Sequence, residues 1–340
     1  MYNFRNDYSL GAHKKILEKI IEFNSEVNTG YGLDMHCMRA ASLIEKELDA
    51  RADIHFISGG TQTNLLAAAA FLKPYQSIIA VSTAHILDNE TGAIEATGHK
   101  IIEIPGEDGK ISPQSIENIM RSYGSESKTQ PKMVYITNAT ELGTIYSIKE
   151  LEEISRVCKK YGLYLYMDGA RLAHAIMSEE SDLRLSDIAR LTDAFFIGGT
   201  KNGLIMGEAL VILNEELKPG FRYIYKQRGA MLAKGFFMGI QFEALFEDGL
   251  FYELGKYAND MAKKLSVGLR EQNIEFYARP VTNQIFLNLS DELIERLSRD
   301  FLFETMILPN GEKVSRLVTS WATSEKDIDA ILEFFRNENK

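Results

Sequence analysis

The stretch from Tyr164 to Lys201 constrains this chain more than any other. It begins Tyr-Leu-Tyr-Met-Asp-Gly-Ala-Arg, ending at Arg171, and closes Ala-Phe-Phe-Ile-Gly-Gly-Thr-Lys, ending at Lys201. Each piece is an apolar, aromatic-rich run of strand type that stops at a charged residue beside glycine. In an α/β protein, ligands bind outside the carboxyl ends of parallel strands. An acid, an arginine and a lysine at the ends of two such strands therefore predict a cofactor site.

The flanking sequence supports an α/β setting. Strands are predicted at Asp53–Ile57, Ser77–Ser82, Lys100–Ile104, Met133–Thr137, Tyr164–Met167 and Ala194–Ile197. Gly207–Leu213 reads as one more, an antiparallel neighbour. Helices alternate with them at Leu65–Leu72, from His85 through Glu95, at Pro113–Tyr123, Leu151–Tyr161 and Ser186–Leu191. This alternation argues a wound, mostly parallel sheet. An amphipathic helix near Lys14–Asn24 and another at Arg39–Asp49 precede it. From Gly229 onward the pattern changes. Two long helical stretches reach Gln272, then come strands at Glu275–Ala278 and Gln284–Leu289, a helix at Asp291–Asp300, a strand at Val314–Ser320 and a final helix from Glu325. The expected division is an N-terminal segment (1–27) packing on the small domain or a partner, a large α/β domain (28–240) and a smaller α+β domain (241–340).

Composition narrows the function classes. A chain of 340 residues, 45% hydrophobic and 25% charged, is ordinary globular material large enough for more than one domain. The net charge of −10 argues against a nucleic-acid surface. No apolar run approaches the roughly 20 residues of a membrane helix, and Met1–Tyr8 lacks the apolar core of a signal peptide. Two cysteines, Cys37 and Cys158, with no CxxC, support neither a disulfide framework nor a metal site. The expected setting is the cytoplasm, with no nucleic-acid or membrane partner.

Several side chains are candidates for chemistry. Lys201 acts as a nucleophile only if desolvation lowers its ammonium pKa from about 10.4; otherwise it is a solvated turn lysine. Asp168 follows apolar residues and needs a cationic partner; it is alternatively a helix cap or simply the partner of Arg171. Ser58-Gly59-Gly60-Thr61-Gln62 joins a strand to a helix start, a natural anion site, although it matches neither a Walker motif nor GxGxxG. His85, just after a strand end, can stack on a flat ring or move a proton. His13, His36, His55, His99 and His174 read as structural. Arg316, on a strand of the small domain, suits a carboxylate or a surface ion pair. A lysine, an aspartate and a phosphate-binding helix start together are what proteins contribute to pyridoxal phosphate chemistry.

The order Gly60-Thr61, His85, Asp168-Gly-Ala-Arg171, Thr200-Lys201 and Arg316 resembles the threonine aldolases of the β-eliminating lyase group, pyridoxal phosphate enzymes of fold type I, the aspartate aminotransferase-like fold. The resemblance runs from Phe4-Arg5-Asn6-Asp7 to Arg316-Leu317-Val318-Thr319. It implies Lys201 in Schiff-base linkage to pyridoxal 5'-phosphate, with Gly60, Thr61, Gln62 and Thr200 holding the phosphate. It implies His85 stacked on the ring, Asp168 at the ring nitrogen and Arg171 near the ring's 3-oxygen. Arg316, with Asn6, would take the carboxylate of a small amino-acid substrate. The family is oligomeric, so a homodimer or homotetramer is implied, with Tyr31 and Lys226-Gln227-Arg228 reaching a neighbour's site.

Two positions depart from the family pattern. Thr140 stands where many members carry a histidine near the substrate hydroxyl, and Asn89 where tyrosine or histidine is frequent. The implied reaction is cleavage of L-threonine or L-allo-threonine to glycine and an aldehyde by a carbon–carbon lyase. The base that takes the hydroxyl proton is sought at His85, or at a water near Glu90 or Glu141. Other readings are β-elimination or transamination with the same cofactor, a non-catalytic cofactor-binding relative, and a nucleotide-binding α/β protein.

Overall fold

The computed structural model describes residues 1–308 and 311–338. Twelve strands are present among them. In chain order they are β1 (Tyr2–Asn3), β2 (Asp53–Ile57), β3 (Gln76–Val81), β4 (Lys100–Ile104), β5 (Gln130–Thr137), β6 (Tyr164–Asp168), β7 (Ala194–Gly198), β8 (Glu208–Ile212), β9 (Gln284–Leu287), β10 (Phe301–Leu302), β11 (Glu304–Ile307) and β12 (Lys313–Val318). Seven form the central sheet in the order β2-β8-β7-β6-β5-β3-β4. β8 alone runs antiparallel to its neighbours β2 and β7. β3, β6, β7 and β8 are buried along nearly their whole length. Helices cover both faces of such a sheet, which is why these strands read as continuous apolar runs.

Two apolar clusters sandwich the sheet. One gathers Ile16, Phe195, Phe242 and Phe251; the other gathers Ala67, Ile78, Phe196 and Phe221. A third cluster lies under the three-stranded sheet β11-β12-β9 and holds Phe4, Leu265, Phe301 and Phe335. The helix Leu250–Glu271 spans two of them, with Phe251 in the first and Leu265 in the third. The expected boundary at residue 240 falls inside the helix Phe236–Glu247, which the central core buries through Phe242 and Leu245. The N-terminal segment serves both parts: β1 pairs with β10, while the following helix, Lys14–Phe23, buries Ile16 against the central core.

Three expectations are corrected. The helix from His85 stops at Asp88 instead of reaching Glu95, because Thr91 (φ 53°) and Gly92 (φ 71°) turn left-handed. Glu275–Ala278 forms no strand beyond a single bridge, Phe276 to Leu287; Arg279-Pro280 follow it, and proline cannot extend a ladder. β1, β10 and β11 were not expected, since two to four residues are too few to show a period.

Candidate active site

The strand ends predicted from residues 164–201 do meet. Asp168 closes β6, Arg171 precedes the short helix Leu172–Ile176, and Lys201 sits three residues beyond β7. Gly198 donates its N–H to the Gly169 carbonyl at 2.9 Å. A Cβ on Gly169 would lie 1.9 Å from the Phe196 oxygen, and one on Gly198 would lie 2.3 Å from the Ala170 oxygen. Glycine at both positions lets the two chain turns touch, which brings the acid and the lysine to one place.

That place opens into two adjoining cavities sharing His85, Glu141, Arg171 and Lys201. The inner one, about 40 Å³, adds Gly60, Thr61, Asn64, Glu90 and Asp168. The outer one, about 470 Å³, adds Tyr8, Asn89, Glu304, Met306, Leu308 and Arg316. At the inner end the helix Gly60–Phe71 begins without a side-chain cap. Its first helical bond runs from Thr63 N–H to Gly59 O at 3.0 Å. The N–H groups of Gly60, Thr61 and Gln62 therefore have no intrahelical partner and face an anion site at the positive end of the helix. The Gln62 side chain is engaged elsewhere, accepting the Ser58 hydroxyl at 2.7 Å.

Asp168 is fixed by neutral donors. Its Oδ2 accepts the Tyr135 hydroxyl at 2.6 Å and Asn64 Nδ2 at 3.0 Å, and its Oδ1 accepts the Ala170 N–H at 2.9 Å. Asn64 also donates to Glu90 Oε1 at 2.8 Å, and Glu90 Oε1 meets His85 Nδ1 at 2.9 Å. One buried network thus runs from Tyr135 through Asp168, Asn64 and Glu90 to His85. Burial draws the His85 pKa down, but the Glu90 hydrogen bond and the charges of Glu141 and Asp168 outweigh this and leave it raised. Lys201 shifts the other way. Its burial and the Arg171 charge lower its pKa, against opposition from Asp7, Glu141 and Asp168. A lysine so placed reaches its neutral, nucleophilic form more easily.

Arg171 pairs with Asp7, not with Asp168. Its Nε and Nη2 donate to Asp7 Oδ2 and Oδ1 at 2.8 and 3.1 Å, and Asn283 Nδ2 donates to the same Oδ2 at 2.9 Å. Burial alone would raise the Asp7 pKa; Arg171 and Lys201 more than reverse that and hold it well below the usual carboxylate range. Thr200 accepts the Gly207 N–H at 3.0 Å, while Gly199 donates to Glu208 Oε2 at 3.0 Å beneath the lysine turn. Burial pushes the Glu208 carboxyl up to about 7.

At the outer end Arg316 is ion-paired to Glu304, directly opposite on β11, and lies 3.3 Å from Gln284 Oε1. Burial and Arg171 lower the Arg316 pKa. Asn89 lines this cavity and is exposed. Two expected members, Thr140 and Asn6, are elsewhere, while Tyr31 and Arg228, expected to reach a neighbour's site, lie off both cavities. Thr140 is 1% exposed, and its hydroxyl meets that of Thr144 at 2.7 Å, away from both cavities. Asn6 accepts from Tyr8 N–H and Ser9 Oγ at 3.1 and 2.7 Å and lines a different hollow beside Trp321, leaving Tyr8 as the N-terminal residue at the site. Tyr31 lines a third cavity with Arg222 and Tyr225, its ring under Lys226 Nζ at 4.1 Å, and Arg228 is exposed.

Asn64, Tyr135, Asp7 and Glu208 were not foreseen. A polar residue opening the apolar helix was the only visible signal for Asn64; Tyr135 looks like any core aromatic of β5.

Known structures share this architecture at two depths. The aspartate aminotransferase of Thermus thermophilus superposes with a TM-score of 0.75 over 99% of this chain and 91% of its own, at 15% identity. The fold is thus aspartate aminotransferase-like, fold type I. The family model for β-eliminating lyases matches residues 5–292, and the chain belongs to that family. A low specificity L-threonine aldolase of Pseudomonas aeruginosa is 33% identical over 339 residues, 98% of this chain and 96% of that protein. The structure of Leishmania major threonine aldolase matches with a TM-score of 0.97 at 49% identity, covering 100% of both chains. Pyridoxal 5'-phosphate is the cofactor of this family and fold. The residues present fit it: three free N–H groups for a phosphate, a buried carboxylate for a ring nitrogen and a desolvated amine for an aldehyde.

Proposed function

We propose that the chain is a pyridoxal phosphate-dependent aldolase that cleaves L-threonine or L-allo-threonine to glycine and acetaldehyde. The observation that carries this is the meeting of Lys201, Asp168 and the open start of the helix Gly60–Phe71 in one cavity that adjoins Arg316.

In this reading Lys201 would hold the cofactor through its aldehyde carbon. The N–H groups of Gly60, Thr61 and Gln62 hold its phosphate, with Thr200 beside them. Asp168 would pair with the ring nitrogen, His85 would lie on the ring face, and Arg171 would approach the 3-oxygen. The bound cofactor supplies an electron sink for the bond being broken. Tyr135 and Asn64 fix the position of the Asp168 carboxylate through the two hydrogen bonds they donate to its Oδ2. Asp7 aims Arg171 by gripping two of its N–H groups, leaving the rest of the fork for the site. Arg316 exchanges Glu304 for the substrate carboxylate. That grip sets the Cα–Cβ bond in the geometry cleavage needs.

The larger assembly belongs to the same proposal. Tyr31, Leu33, Met35 and Met38 form an exposed apolar run, with Lys226 Nζ 4.1 Å from the Tyr31 ring, which suits a face covered by a second copy of the chain. Two buried free thiols suit a cytoplasmic setting. Among the described residues no helix is long and apolar enough to cross a membrane.

The test is direct. The purified holoenzyme, incubated separately with each substrate, is expected to release equimolar glycine and acetaldehyde. A keto acid and ammonia in their place would indicate elimination and overturn the reading.

A further inference from the structure

Among the carboxylates around the cofactor cavity that are buried or half-buried, Glu141 stands apart; Asp88, also on the outer cavity, is exposed. Asp7, Glu90, Asp168, Glu208 and Glu304 each hold a hydrogen-bond or ion-pair partner. Among the described residues Glu141 holds none, although it is only partly exposed and lines both the inner and the outer cavity. A carboxylate left unpaired in a half-buried cleft is poorly solvated, and such groups concentrate where chemistry uses them.

The backbone that presents it is fixed. Thr140 N–H donates to Thr144 O at 2.8 Å, and Gly143 N–H donates to Thr140 O at 2.9 Å, closing a tight turn with Glu141 at its tip. Gln284 Nε2 reaches Thr140 O at 3.3 Å, and Thr282 Oγ1 donates to Gly143 O at 2.8 Å. Gly143 adopts φ +75°, and a Cβ there would sit 3.2 Å from the Gln284 carbonyl. The turn is thereby pinned between the end of β5 and β9. The same pinning turns Thr140 inward to Thr144, so that its neighbour faces the cavity.

We propose that Glu141 is the catalytic base that accepts the proton of the substrate's β-hydroxyl group. The inference rests on the aldolase reading of the site. In the step, the hydroxyl proton passes to a Glu141 oxygen, and the O–H electron pair becomes the second bond of the aldehyde C=O. The Cα–Cβ bond breaks, and its pair stays with the glycine half. Cα then takes a proton from water, and Glu141 returns the hydroxyl proton to water through the outer cavity, so that no net proton is gained or lost.

The charges around Glu141 suit the task. His85, Arg171 and Lys201 face it, Asp168 stands across the inner cavity, and Arg316 lies toward the outer one. Burial, aided by Asp168, raises its pKa above the ordinary carboxylate value, against the pull of the three cations. A base is more effective the closer its pKa comes to the working pH.

The experiment compares wild type, Glu141→Gln and Glu141→Asp as holoenzymes. Glycine carries no β-hydroxyl, so both variants are expected to keep the cofactor's absorbance band, the wild-type glycine affinity and the exchange of glycine's α-proton in heavy water. Threonine cleavage by Glu141→Gln is expected to fall by ~10²–10⁴-fold and to lose the acid limb of the kcat/KM profile, with Glu141→Asp retaining part of the activity. Unchanged cleavage by Glu141→Gln overturns the proposal. So does a parallel loss of glycine binding and α-proton exchange, which would mark a structural role. If wild type itself exchanges glycine but cleaves no β-hydroxy amino acid, the aldolase reading fails first and takes this inference with it.

Discussion

The two ends of the cavity are built on opposite plans. At the inner end nearly every polar group is already engaged: Asp168 with Tyr135, Asn64 and Ala170, Arg171 with Asp7, and Glu90 with Asn64 and His85. At the outer end the groups are uncommitted or paired only provisionally. Glu141, at the junction of the two cavities, is unpaired among the described residues, Asn89 is exposed, and Arg316 leans on a partly exposed Glu304. A resident cofactor rewards a rigid, satisfied network, because a fixed geometry costs nothing to reorganise at each turnover. A substrate that enters and leaves needs groups free to exchange partners. The contrast separates what keeps the cofactor from what chooses the reaction.

Cutting the inner network should separate the two ends most sharply. Asp7→Asn leaves the Arg171 guanidinium buried without its counter-charge. Losing one partner of a buried pair costs about 3–5 kcal/mol, read as a drop in unfolding free energy by denaturant titration. The pH dependence carries a matching sign. Because the folded state depresses the Asp7 pKa, its stabilisation is complete above the unfolded value of 3.8 and drains away as pH falls below it. Wild type should therefore lose stability more steeply than Asp7→Asn below about pH 4. Equal stabilities and slopes would show that the pair merely coexists with the fold.

Glu208 tests the same region from beneath the lysine turn. Its carboxyl is raised from 4.5 to about 7, so the folded chain keeps a proton that the unfolded chain releases. Stability should fall as pH rises from 4.5 to about 7, a loss on the order of 3 kcal/mol. Glu208→Gln should flatten that slope in urea unfolding at pH 5 and pH 7.5. A variant with the wild-type slope would remove Glu208 from the account.

The outer end should answer more gently. Glu304→Gln weakens a pair that is partly exposed, worth at most about 1 kcal/mol. The expected result is an approximately fivefold lower KM for the amino acid, with kcat changing less than KM. A raised KM would mean that Glu304 helps to hold the substrate instead of competing with it.

How far the sequence revealed this division depended on charge. Lys201, Asp168, Arg171 and His85 stood out because charged or titratable residues at the ends of apolar strands have few bland explanations, and they do converge. The antiparallel β8 was legible as well, since its five residues repeat the buried apolar pattern of its neighbours. The neutral half of the network was not legible. Asn64 and Tyr135 have the composition of a helix start and a core strand, and only the folded sheet shows them converging on one carboxylate. Asp7 was hidden by distance, being 164 residues from its partner in sequence. Thr140 and Glu141 stand side by side in one tight turn, and the sequence does not say which of the two faces the cavity. The Thr144 hydroxyl and the Gln284 side chain decide that here, and they point Glu141 inward.

The central claim is that residues 164–201 form the cofactor grip, with Lys201 as the attachment point. Borohydride reduction of the holoenzyme, followed by digestion and mass spectrometry, tests it most directly, because reduction locks the cofactor onto whichever amine carries it. A single pyridoxyl label is expected on the peptide containing Lys201, and no label in Lys201→Ala. A label on another lysine, or a labelled Lys201→Ala protein, would contradict it.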